Sequence, residues 1–135
     1  MLWAHYSDKH RGMCLGFDVN DGLTKGISHR ETRVPWRTPD PEFMQEMLFT
    51  KFAGWEYEDE VRVYAKRDEE DNGLYFADFS GKLKLREVIV GHRCCVERNR
   101  IVAALGACSE SVERTKARLS YSSFTVVRDI DGFTS

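Results

Sequence analysis

The spacing of apolar and polar positions changes character several times along the chain, and each change marks an element. Leu2 to His10 fits a short helix stopped at Lys9-His10-Arg11-Gly12. Met13-Cys14-Leu15-Gly16-Phe17-Asp18-Val19 has the length and apolar majority of a strand, and Asn20-Asp21-Gly22 supplies the turn after it. Between Arg30 and Trp36 the chain is charged, with little alternation. The prolines at 35, 39 and 41 restrict this stretch to an edge strand or loop, because proline cannot donate to a ladder. Asp40-Pro41 reads as an N-cap followed by proline in the first helical turn. Phe43, Met44, Met47, Leu48 and Phe52 recur at helical spacing and predict a helix over about 41–52.

Further along, the period is mostly two. Val61, Val63 and Ala65 alternate with Glu60, Arg62 and Tyr64, a strand with one apolar and one polar face. The acidic run Asp68-Glu69-Glu70-Asp71 with Asn72-Gly73 predicts a solvated hairpin loop, Leu74 to Phe79 the returning strand, and Leu83 to Val90 another. Ile101 to Leu105 follow Glu97-Arg98-Asn99 and stop at Gly106, as a short amphipathic helix does. A last strand is expected around Ala117 to Val127. Strands outnumber helices, and the expected class is α+β: a mainly antiparallel twisted sheet with two or three helices packed against it.

The 135 residues predict one domain spanning 1–135, and 41% hydrophobic with 31% charged residues suits a folded chain rather than a disordered one. A net charge of -2 gives no bulk positive field, so nucleic acid is not an expected partner. No apolar run approaches the roughly 20 residues that cross a bilayer, so a membrane is not expected either. Cys14, Cys94, Cys95 and Cys108 come with neither a secretory leader nor a loop-rich disulfide pattern, which predicts free thiols and a cytoplasmic location.

Two blocks carry candidate chemistry. The first holds Trp3, His5, Tyr6, His10, Gly12, Cys14, Gly16 and Phe17. His5 and His10 would stand about 140° apart on a helix, so they are not a same-face metal pair, and no metal is expected. These residues are read as a ligand-lining group, with core aromatics and hydrogen-bonded histidines as the plain alternative. The second block runs from Lys51 through Trp55-Glu56-Tyr57-Glu58-Asp59-Glu60-Val61-Arg62. If the chain is extended from Glu58, then Glu58, Glu60 and Arg62 share one face, placing two carboxylates beside a guanidinium. Such a pair can stabilise positive charge or take a proton from a hydroxyl, and an Arg neighbour keeps at least one member ionised. The alternative is a solvated charged strand. Lys82, Lys84 and Arg86 form a third stretch, read as a solvated face.

The two blocks together resemble a bacterial family known as domain of unknown function 2971. The resemblance is carried by Trp3-Ala4-His5-Tyr6, His10-Arg11-Gly12-Met13-Cys14-Leu15-Gly16-Phe17, Lys51, Trp55 to Arg62, and Val88-Ile89-Val90-Gly91. It implies that the chain corresponds to the C-terminal part of a longer family domain. The family pattern is in turn similar to ADP-ribosyltransferases, in which a late Glu-x-Glu stabilises an oxocarbenium-like transition state. That similarity implies Glu60 as the catalytic carboxylate, Glu58 and Arg62 as its partners, and NAD as the nucleotide. His5, Tyr6, His10, Lys51 and Trp55 would line the ligand site, and the histidines and carboxylates are expected to converge on one cleft.

Enzyme and non-catalytic interaction or ligand-binding module both stay open. A chain starting mid-domain would leave a sheet edge near Leu15, Phe17, Val61 and Val63 uncovered. A homo-oligomer paired there, with Trp3 and Trp36 nearby, is the expected assembly.

Overall fold

In the computed structural model, the described residues are 2–64, 69–76, 81–130 and 132. The strands in chain order are β1 Met13–Val19, β2 Thr24–Gly26, β3 Ser28–Arg30, β4 Thr50–Phe52, β5 Val61–Val63, β6 Glu69–Asp71, β7 Leu74–Phe76, β8 Leu83–Val90, β9 Glu113–Leu119 and β10 Val126–Asp129. The helices are α1 Leu2–Tyr6, α2 Pro41–Leu48 and α3 Arg98–Leu105. The fold is α+β, and the sheet is mostly antiparallel. The chain divides into two compact units: Met1–Asp18 with Phe79–Ser135, and Val19–Asp78.

The first unit is built on a four-stranded sheet of order β1-β8-β9-β10. β9 and β10 pair antiparallel, whereas β8 and β9 pair parallel with Val88 opposite Arg114 and Val90 opposite Lys116. A parallel pair needs a crossover, and α3 lies in the connection between these two strands. Beyond the strand ends, Gly91 N donates to Gly12 O and Arg93 N to His10 O, both at 2.9 Å, so this part of the pairing runs antiparallel. The core consists of Val88, Val90, Cys94, Ile101 and Val112, with Leu85, Val96 and Leu105 packed against it. Val88 and Val90 are two apart and therefore share the face that Ile101 covers. Burying each such side chain contributes about 1.5–3 kcal/mol.

Several elements differ from the expected ones. α1 stops at Tyr6, where the Ser7 hydroxyl donates to the Trp3 carbonyl and Asp8, Lys9 and His10 all take positive φ, at 44°, 54° and 69°. The single strand expected over Ala117 to Val127 is two strands, because the serines between them bond locally. Ser122 N donates to the Ser120 hydroxyl at 3.2 Å, the Ser123 and Thr125 hydroxyls pair at 2.6 Å, and Ser120 N reaches Thr125 O. Such bonds offer the backbone an alternative to a ladder.

The second unit contains three two-stranded pairs. β2 and β5 are antiparallel, β3 and β4 parallel, and β6 and β7 form a hairpin whose turn residues Asn72 and Gly73 both have positive φ, 52° and 79°. That conformation is why Asn-Gly is favoured in two-residue hairpins. The acidic Glu69-Glu70-Asp71 is therefore strand rather than loop. Asp68, Ala65 and residues 77–80, parts of other expected elements, lie outside the described residues.

The Asp40 carboxylate accepts from Phe43 N at 2.7 Å and starts α2 as expected, with Pro41 in its first turn. The helix ends at Leu48 instead of Phe52, because Thr50, Lys51 and Phe52 pair with Ser28, His29 and Arg30. Phe43 and Phe49 are the buried aromatics of this unit. Phe43 meets Trp36 edge-on at 5.5 Å, and Phe49 packs on Tyr64 at 5.1 Å.

Candidate functional site

The second block forms a charge cluster by a route other than the expected continuous strand. Ala53–Glu58 is a 3₁₀ turn, and Asp59 closes it in the left-handed conformation at φ 47°. Extended chain resumes only at Val61, so Glu58 does not share a strand face with Glu60 and Arg62. Lys51 joins them instead. Its ammonium, on β4, donates to Glu58 Oε2 and, at 2.9 Å, to Glu60 Oε2. Arg62 then holds the other side of Glu60, from Nε to Oε1 at 2.6 Å and from Nη2 to Oε2 at 3.3 Å, while its Nη1 donates to the Leu48 carbonyl.

Glu58 is the most enclosed member, its side chain 4% exposed. Lys51 also lies 5.5 Å from the centre of the Trp55 ring, which tilts against Tyr57 at 5.9 Å.

The hydrogen bonds govern the ionisation. Arg62 first, and Lys51 second, hold the Glu60 carboxyl down at about 2 against an ordinary 4.5. Glu58 and then Glu60 hold the Lys51 ammonium above its ordinary range, and Glu60 does the same for the Arg62 guanidinium. All three are charged at neutral pH. A carboxylate this acidic is a poor proton acceptor, and both Glu60 oxygens are already occupied, so the arrangement suits fixed electrostatics rather than general-base work.

Lys51 has a second neighbourhood. It lines a cavity of about 770 Å³ within the same unit, with Arg30, Arg33, Trp36, Met47 and Phe52 among the other walls. Trp36 is 79% and Phe52 57% exposed, so the cavity presents two uncovered aromatic rings. Arg30 bonds Glu46 at 2.9 Å, and Arg37 reaches the same carboxylate at 3.4 Å, whereas Arg33 makes no ion pair among the described residues. The sequence reading did not single out Arg33, and it took Phe52 as part of the helical period. Three arginines within eight residues, Arg30, Arg33 and Arg37, around Trp36 in a proline-flanked segment were the available signal.

The first block belongs to the other unit. His5 and Tyr6 are exposed on α1. His10 lies past the helix, stacked on Trp3 at 6.2 Å and 5° between ring planes, and its Nδ1 is buried with no partner among the described residues. The loop around it is held by its backbone. A side chain at Gly91 would place Cβ 2.2 Å from His10 O, so glycine is required there. Among the described residues no three His, Cys, Asp or Glu side chains gather within reach of one ion. Searches against protein-family profiles, curated proteins and solved structures find no match to this chain.

Proposed function

We propose that the second unit binds a nucleotide, and that the ion cluster positions one wall of that site instead of performing proton transfer. The carrying observation is the cavity of about 770 Å³ in which Trp36 and Phe52 stand exposed beside Arg30, Arg33 and Lys51. Its volume is within the range of about 300–1,000 Å³ typical of small-molecule sites. A purine or nicotinamide ring stacks on exposed indole or phenyl surface, contributing ~1–3 kcal/mol. The phosphates would meet Arg33, whose planar fork suits bidentate recognition. Lys51 links this wall to Glu58 and Glu60 and is held rigidly by both.

Calorimetry with NAD, ADP and ADP-ribose tests the reading. Trp36→Ala and Arg33→Ala should each weaken binding by roughly ten-fold, and Glu60→Gln much less. No binding of any of the three at millimolar concentration would sink it.

Glu60 being ionised at neutral pH favours a second reading, the ADP-ribosyltransferase-like one. There the anionic carboxylate would stabilise an oxocarbenium ion as the bond from ribose C1′ to nicotinamide breaks, nicotinamide leaving with the bonding electrons and an acceptor adding to C1′. The Glu-x-Glu spacing of Glu58 and Glu60 is the sequence feature that motivates it. Release of nicotinamide from NAD that disappears in Glu60→Gln would establish turnover, while unchanged NAD alongside measurable binding would leave the binding module.

In either case we place the chain in the cytoplasm, supported by four free thiols. We also place it in a homo-oligomer paired through the β1 edge, supported by the position of β1 at the end of the described sheet and by Leu15, 40% exposed. No helix among the described residues is long and apolar enough to cross a membrane.

A further inference from the structure

On its α3 side the first unit holds an apolar cleft that its own core leaves open. α3 is eight residues long and turns Ile101 and Leu105, four apart, toward Val88. So short a helix covers Val88 and leaves Met13 and Leu15 on β1 to solvent. The cleft therefore runs from a rim at Met13 and Leu15, 45% and 40% exposed, to a floor at Val88 and Ile101, 3% and 6% exposed. Its volume is about 360 Å³, and among the described residues Arg100 is its one charged wall.

Arg100 stands in the first turn of α3 and makes no ion pair among the described residues. A guanidinium at the end of an apolar slot matches an amphipathic anion. The planar fork takes a carboxylate through two parallel hydrogen bonds, while the slot takes a tail out of water. The volume lies near the lower end of the about 300–1,000 Å³ usual for small-molecule sites, which sets the tail at medium length. A floor made of core residues also favours a thin chain over the flat face of a second copy.

We propose that this cleft binds a medium-chain monocarboxylate, its unbranched alkyl tail over Val88 and Ile101 and its carboxylate at Arg100. The site shares no residue with the nucleotide cavity of the second unit. Strand pairing of β1 with a second copy would use backbone groups, so neither assignment requires the other. A tail in the cleft extends the small core of the unit, and binding should therefore raise its unfolding temperature.

The test is calorimetric titration of the full chain with hexanoate, octanoate and octanol, each below its micelle concentration. Octanoate should bind about 15-fold tighter than hexanoate, since each buried methylene is worth about four-fold, or about 0.8 kcal/mol. Arg100→Gln should weaken octanoate roughly ten-fold and leave octanol unchanged. Ala104→Phe, on an exposed helical position lining the cleft, should block both ligands. Trp36→Ala and Arg33→Ala should leave octanoate binding intact, which separates this site from the nucleotide cavity. No dependence on chain length, or no binding at millimolar concentration, overturns the proposal. Indifference of octanoate to Arg100→Gln overturns it too, leaving Arg100 a solvated side chain whose stem covers apolar surface. A sedimenting dimer that Ala104→Phe dissociates, in a chain that binds no octanoate, overturns it in favour of a second copy.

Discussion

Glu60 shows how far one side chain depends on its neighbours. Its carboxyl ionises at about 2 because Arg62 and Lys51 bond the charged form, so the fold is favoured in full wherever the carboxyl is ionised in the unfolded chain as well. The folded value lies below the ordinary 4.5. The stabilisation is therefore present above about pH 5 and is lost as pH falls through the folded value near 2. After screening by nearby water the expected worth is about 1–2 kcal/mol. Glu60→Gln should lower the unfolding temperature at pH 7, and the gap from the parent chain should shrink toward pH 2.5. A gap independent of pH would show that the charge is not responsible. The types of the cluster residues were legible in sequence, but their mode of union was not. Lys51 stands seven residues before Glu58, and only the parallel β3–β4 pairing and the 3₁₀ turn bring them together.

Among the elements, α2 and the β8 terminus are the most instructive. The start of α2 was readable because capping is local: Asp40 and Pro41 act within one turn. Asp40→Ala should cost about 1 kcal/mol in urea unfolding, the usual loss for a cap carboxylate. Its end was not readable, since Phe52 continues the helical period but its backbone pairs with Arg30, a partner 22 positions earlier. The β8 terminus makes a sharper prediction. With a Cβ at Gly91 falling 2.2 Å from His10 O, Gly91→Ala should destabilise by more than about 3 kcal/mol or prevent folding, read by denaturation or by loss of soluble chain. Ile101→Ala, which opens the α3 core, should cost ~2–5 kcal/mol. If Gly91→Ala proved milder than Ile101→Ala, the close backbone approach would be relaxed in solution.

For the molecule as a whole, assembly is the measurable property. β1 ends the described sheet and bears Leu15, so a second copy pairing there should appear as a dimer in sedimentation equilibrium, and Leu15→Glu should shift it to a single 15.6 kDa species. A parent chain that already sediments at that mass would contradict the oligomer. The sequence by itself determined what depends on neighbours a few residues apart. Strands Met13–Val19 and Leu83–Val90, the Asp40 cap, the Asn72-Gly73 turn and the α+β class all follow from side-chain period and turn chemistry. Tertiary structure alone decided what depends on distant partners. The parallel β8–β9 pairing, the carboxylates gathered on Lys51, and the cavity that joins Arg33 and Trp36 to Lys51 each bring together residues with no local reason to meet. Periodicity reports which face a side chain takes, whereas strand order and register determine what that face encounters.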